Sequence, residues 1–196
     1  MRSTFTALAV VAGVLSAGPG FAGHHSWDFT EIFSNADGSV QFIEMDCPSD
    51  NEAGLGAFTI TAGSNTLNFV TNLPSTSTAN TWVLIATSGF GSLTGGVVPD
   101  YVIPADFFAT GGGTLNYASG ADIWNYGAVP TDGVNALLRN GSTATNSPTN
   151  FAGQTGSVDL TAQIPTLETW GFILLVGAML LAAVTLLRRR QQVIPA

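Results

Sequence analysis

Thr81-Trp82-Val83-Leu84-Ile85-Ala86 carries five consecutive apolar side chains between turn-forming segments. A run this short, with its aromatic and β-branched residues, reads as a central strand of a sandwich, covered on both faces. Working outward, Ala57-Phe58-Thr59-Ile60-Thr61 alternates as a half-buried strand should. Further candidate strands are Ser39–Met45, Thr66–Val70, Asp100–Ile103, Thr114–Tyr117, Asp122–Tyr126, Val134–Arg139 and Gly156–Leu160. Asp37-Gly38, between Glu31–Phe33 and Val40–Met45, is a hairpin signal. Asn72–Thr81 and Arg139–Asn150 are rich in Ser, Thr, Asn, Pro and Gly and read as exposed loops, with Gly141–Gln154 partly mobile. Without an amphipathic helical stretch, residues 23–163 are predicted to form one all-β domain, an immunoglobulin-like sandwich or a related β-barrel.

Charge narrows the partners. The 196 residues include no Lys, five Arg and 13 acids, a net charge of −8. Between Gly23 and Gln163 stand 12 acids against Arg139 alone. That region lacks the basic footprint that nucleic acid or an anionic lipid surface requires.

The two ends read as addresses. Met1–Ala22 has the layout of a secretory signal peptide: Arg2, an apolar Phe5–Leu15 and a small-x-small site at Gly20-Phe21-Ala22. Signal peptidase is the implied partner, and an N-terminal signal helix is expected. Trp170–Leu187 holds eighteen residues without a charge. As a helix it covers roughly 27 Å, enough for a bilayer core. Arg188-Arg189-Arg190 follows as a stop-transfer run, so residues 188–196 are expected in the cytoplasm. Pro165 is expected to hold the preceding Ile164-Pro165-Thr166-Leu167 extended.

Ile164-Pro165-Thr166-Leu167, followed by Trp170-Gly171, the apolar helix and the Arg run, resembles the IPTL-CTERM sorting signal over residues 164–190. Glu168-Thr169 stands where relatives often have Ser-Glu. The resemblance implies recognition by an exosortase, a membrane-embedded cysteine transpeptidase of Gram-negative bacteria. It also implies passage through an inner-membrane intermediate to the cell envelope, cell surface or extracellular matrix. Phe29–Gly38, Gln41–Met45 and Trp82–Ala86 resemble the opening of lamin-tail-type domains, across residues 27–86. Those are immunoglobulin-like sandwiches with binding or scaffolding roles.

Chemistry is sparse. Cys47 is the single cysteine, and His24 and His25 are the only histidines, so Cys/His and Ser/His/Asp catalysis lack a positioned base. If cleavage follows Ala22, Gly23-His24-His25 offers the amine, two amides and imidazole that suit Cu(II). Asp46, Asp50 and Glu52, with Glu44 nearby, form the densest acidic stretch and a candidate Ca²⁺ loop. No cofactor is otherwise implied. Trp124 and Tyr126 fall on one strand face and form a candidate ligand platform for matrix polysaccharide. The expectation is a non-enzymatic envelope protein with a structural or adhesive β-domain. The competing reading is an extracellular polysaccharide hydrolase whose two carboxylates converge from separate strands.

Overall fold

The computed structural model describes residues 26–161 and 167–191. The signal segment 1–22, its expected helix, Gly23-His24-His25 and Ile164-Pro165-Thr166 lie outside the described residues. Among the described residues ten strands follow in chain order: β1 (Asp28–Ser34), β2 (Gln41–Cys47), β3 (Thr59–Ala62), β4 (Asn65–Asn68), β5 (Thr81–Thr87), β6 (Tyr101–Ile103), β7 (Gly113–Tyr117), β8 (Asp122–Tyr126), β9 (Asn135–Leu138) and β10 (Thr143–Thr145). They form a six-stranded sheet, β10-β9-β1-β2-β5-β6, and a four-stranded sheet, β4-β3-β7-β8. Neighbours are antiparallel except β5 and β6, which pair in parallel. The domain is a sandwich-like pair of sheets, as the strand pattern predicts.

The apolar run of β5 has a direct cause: its sheet is buried on both faces. Val83 and Ile85 join the core between the sheets, with Phe29, Ile43, Ile60, Leu115 and Tyr117. Leu84 and Ala86 face the other way, into a second apolar layer with Phe33, Phe42, Phe90, Val97, Ala136 and Val158. That outer layer is closed by the connections after β5 and β10 rather than by a third sheet. The β1–β2 hairpin turns at Asp37-Gly38 as expected. Gly38 has φ +69°, and a Cβ there would lie 1.9 Å from the Asp106 carboxylate.

Two readings of the loops are corrected. Gly156–Leu160 is not a strand; Ser157 N–H donates to Gly95 O at 2.9 Å and Leu160 N–H to Gly133 O at 3.0 Å, point by point. Part of Arg139–Asn150 is β10, and the segment after it is pinned rather than mobile. Polar side chains bonding to backbone hold it, and composition alone reads such residues as loop.

One α-helix, α1 (Leu167–Gln191), ends the described chain. It begins before Trp170 and takes in Leu167, which was expected to be extended. Pro165 restricts the residue before it, and proline suits the entry to a helix. Among the described residues no helix is long and apolar enough to cross a membrane. Side chains on α1 are described without a break only from Gly171 to Leu181, and these are exposed.

Candidate functional site

The outer face of the six-stranded sheet carries a row of acids created by a β-bulge. Phe29 pairs with Met45, but the next partner of Glu44 is Glu31, so Thr30 is the extra residue. The bulge turns Glu31 to the same side as Glu44, directly across the strand pair. Both are buried, at 2 % and 5 % exposure. Without it, Glu31 would point toward the core and Thr30 would face Glu44.

A strap, residues 146–151, crosses over this row. Ser147 donates its N–H to Glu31 Oε1 and its hydroxyl to Oε2, both at 2.9 Å. Thr149 N–H donates to Glu44 Oε2 at 2.6 Å, and Thr30 Oγ1 donates to Oε1 at 3.0 Å. Phe151 N–H donates to Asp100 Oδ2 at 2.9 Å, and that oxygen also accepts Leu84 N–H of β5. The strap thus meets a carboxylate over β1, then β2, then the β5–β6 edge. Its even positions bind elsewhere. Asn146 Nδ2 donates to Val134 O and Val158 O, each at 2.7 Å, and its Oδ1 accepts Val158 N–H. Asn150 Nδ2 donates to Val98 O at 3.0 Å.

Burial sets the electrostatics. It raises the Glu44 carboxyl to about 7, with the Glu31 charge adding to the effect and the Thr149 and Thr30 bonds opposing it. Burial also raises Glu31 and Asp100, against the bonds that each accepts. Glu31 and Glu44 are therefore facing carboxylates in unequal environments, the arrangement that acid–base chemistry uses. The oxygens, however, are engaged by the strap.

One row further along, Asp28, Asp46 and Trp82 lie side by side across β1, β2 and β5. Asp28 and Asp46, with Glu31, Glu44, Arg139 and Asn140, line a shallow groove of about 480 Å³. Arg139 is committed to Asp122 at 2.6 Å, and Asp122 also accepts Phe29 N–H. A wider cleft, about 710 Å³, opens at one end of the sandwich between Asp37, Asn65, Asp106, the 109–113 loop and Tyr126.

The acids singled out by the sequence go separate ways. Asp46 faces Asp28. Asp50 Oδ1 accepts Thr78 and Ala79 N–H, both at 3.1 Å. Glu52 sits beside Ser26, and its carbonyl accepts the Trp27 indole N–H. Among the described residues no group of three or more His, Cys, Asp or Glu is gathered to hold a metal. Cys47 is buried, donates to Ser49 O at 3.2 Å, and burial raises its thiol. Trp124 and Tyr126 do share a face, but it is the inward one, and the expected ligand platform is corrected accordingly. Both are buried; Trp124 packs on Phe29 at 6.5 Å between centroids and Tyr126 donates to Ala109 O. Alternation shows that two residues share a face without showing which face is wet; the larger rings went inward and left Ile123 and Asn125 outside. The residues missed are Glu31, Asp100 and the strap. Only the high acid density around Glu44 hinted at them.

Residues 162–191 match the IPTL-CTERM motif. The chain carries an IPTL-CTERM sorting signal. No curated protein and no solved structure matches the chain. The IPTL-CTERM segment starts just after Thr161, close behind the last anchor of the sandwich at Leu160. Within it, Leu167, Trp170, Gly171 and Arg188-Arg189-Arg190 all belong to α1. The IPTL-CTERM motif implies export, cell-surface placement and processing by an exosortase-type enzyme.

Proposed function

We propose that this protein is an exported β-sandwich with a structural or adhesive role, delivered to the envelope or matrix by exosortase processing of a membrane-held precursor. The observation that carries this is the IPTL-CTERM match, placed directly after a folded sandwich. In this reading Met1–Ala22 is removed by signal peptidase. Trp170–Leu187 holds the precursor in the bilayer and Arg188-Arg189-Arg190 stays in the cytoplasm. The charge-free run of eighteen residues supports the span. A non-catalytic domain is supported by the strap, which occupies the facing carboxylates. The cleft beside Asp37 and Asp106, with its hydroxyls, amides and acids, is where matrix polysaccharide would bind. The lamin-tail resemblance of residues 27–86 adds an immunoglobulin-like, scaffolding precedent. Copper capture at Gly23-His24-His25 rests on cleavage after Ala22.

The test is a Pro165→Ala, Thr166→Ala double variant expressed in the native host. It is expected to remain full-length in the inner membrane while the wild type reaches the surface shortened. Equal surface delivery and equal size would overturn the proposal. A hydrolase reading draws on the unequal Glu31–Glu44 pair; polysaccharide cleavage by the purified protein, abolished in Glu31→Gln, would favour it.

A further inference from the structure

We propose that residues 146–151 form a proton-operated latch over the six-stranded sheet, seated while the Glu31–Glu44 pair holds a proton and released when both carboxylates are charged. The pair stands directly across a strand junction, where like charges oppose each other, and the strap lies over it. Among the described residues no free cation is placed to relieve a doubly charged pair. The strap brings only amides and hydroxyls. On the β1 and β2 side the neighbours are Asp28 and Asp46, also acids. From beyond β9 comes Arg139, already bonded to Asp122. On the β5–β6 side stands Asp100, and the 156–160 segment adds Asp159, whose carboxylate accepts the Thr161 N–H and hydroxyl.

When one proton sits on the pair, a carboxyl oxygen still accepts each strap amide and the repulsion is gone. When both are ionised, separating the strap from the sheet admits water to two charges that burial disfavours. The Glu44 carboxyl stays protonated to about 7, so this exchange falls near neutral pH. Release has a local consequence. Asn146 fixes Val158 through two bonds, so unseating the strap loosens the 156–160 segment and uncovers the layer around Phe33, Phe42 and Leu84.

Amide hydrogen exchange on the full chain in detergent tests this, read as protection factors so that intrinsic pH effects cancel. From about pH 5.5 to about pH 8.5, protection at Ser147, Thr149 and Phe151 is expected to fall about tenfold or more beyond the loss at β3 and β7 amides, which follow overall stability. Glu44→Gln, which keeps an acceptor and removes the charge, is expected to stay protected at the higher pH. Glu31→Gln serves the same purpose if the first variant does not fold. Unchanged wild-type protection across that range overturns the latch. So does equal loss in the neutral variants.

Discussion

One extra residue, Thr30, decides what the outer face of the sheet can do. It places Glu31 over Glu44 and leaves its own hydroxyl to bond the Glu44 carboxylate. Asn146 is the strap's other fixed point, with both ends of its amide used. Asn146→Ala would strand the Val158 N–H and the Val158 carbonyl, whereas Val134 O keeps the Asn146 backbone N–H, and a loss of about 2–3 kcal/mol is expected in urea unfolding. Trp124→Ala would empty the largest side chain of β8 from the core and release the Arg139 guanidinium 5.5 Å from its ring. It is expected to cost about 3–5 kcal/mol by the same measurement. A loss below about 1 kcal/mol would mean that the ring is on the surface, as the residue alternation alone allowed.

At the scale of elements, what was legible followed from backbone and apolar pattern. Asp122–Tyr126 was read residue for residue, and β5 to within one residue, because periodicity and apolar runs report burial directly. The Asp37-Gly38 turn was legible because a left-handed residue needs glycine. The strap was illegible because its order comes from side chain-to-backbone bonds spanning more than a hundred residues, as between Ser147 and Glu31. Bulges leave no such periodic mark, so the Glu31–Glu44 pair was hidden too. Gly95 shows the same dependence on distant contacts. A Cβ there would lie 1.9 Å from Ser157 O, and φ is +77°. Gly95→Ala is expected to lift the 156–160 segment and lower the melting temperature. A melting temperature matching wild type would contradict that close approach.

For the whole molecule, pH acts through the raised carboxylates. Glu44 has an ordinary value of 4.5 and sits at about 7 in the folded protein. The folded state therefore keeps a proton that the unfolded chain has lost. The stabilisation is fully present below about pH 4.5 and is lost as pH rises through about 7, a change on the order of 3 kcal/mol at most. Glu31, Asp100, Asp28 and Asp46 are raised as well and act in the same direction. A melting temperature that falls from about pH 5 to about pH 8, with a shallower fall in Glu44→Gln, is the expected result. A rise over that interval would contradict the burial of these acids.

The arrangement of the chain makes the larger claim: a folded, acidic sandwich followed directly by an IPTL-CTERM segment. The most direct measurement is intact mass with sequencing of both ends of the mature protein from its native host. The account predicts a chain that has lost the Met1–Ala22 leader and everything beyond the Ile164–Leu167 region. A mature protein that still contains Trp170–Leu187 and Arg188-Arg189-Arg190 would contradict it.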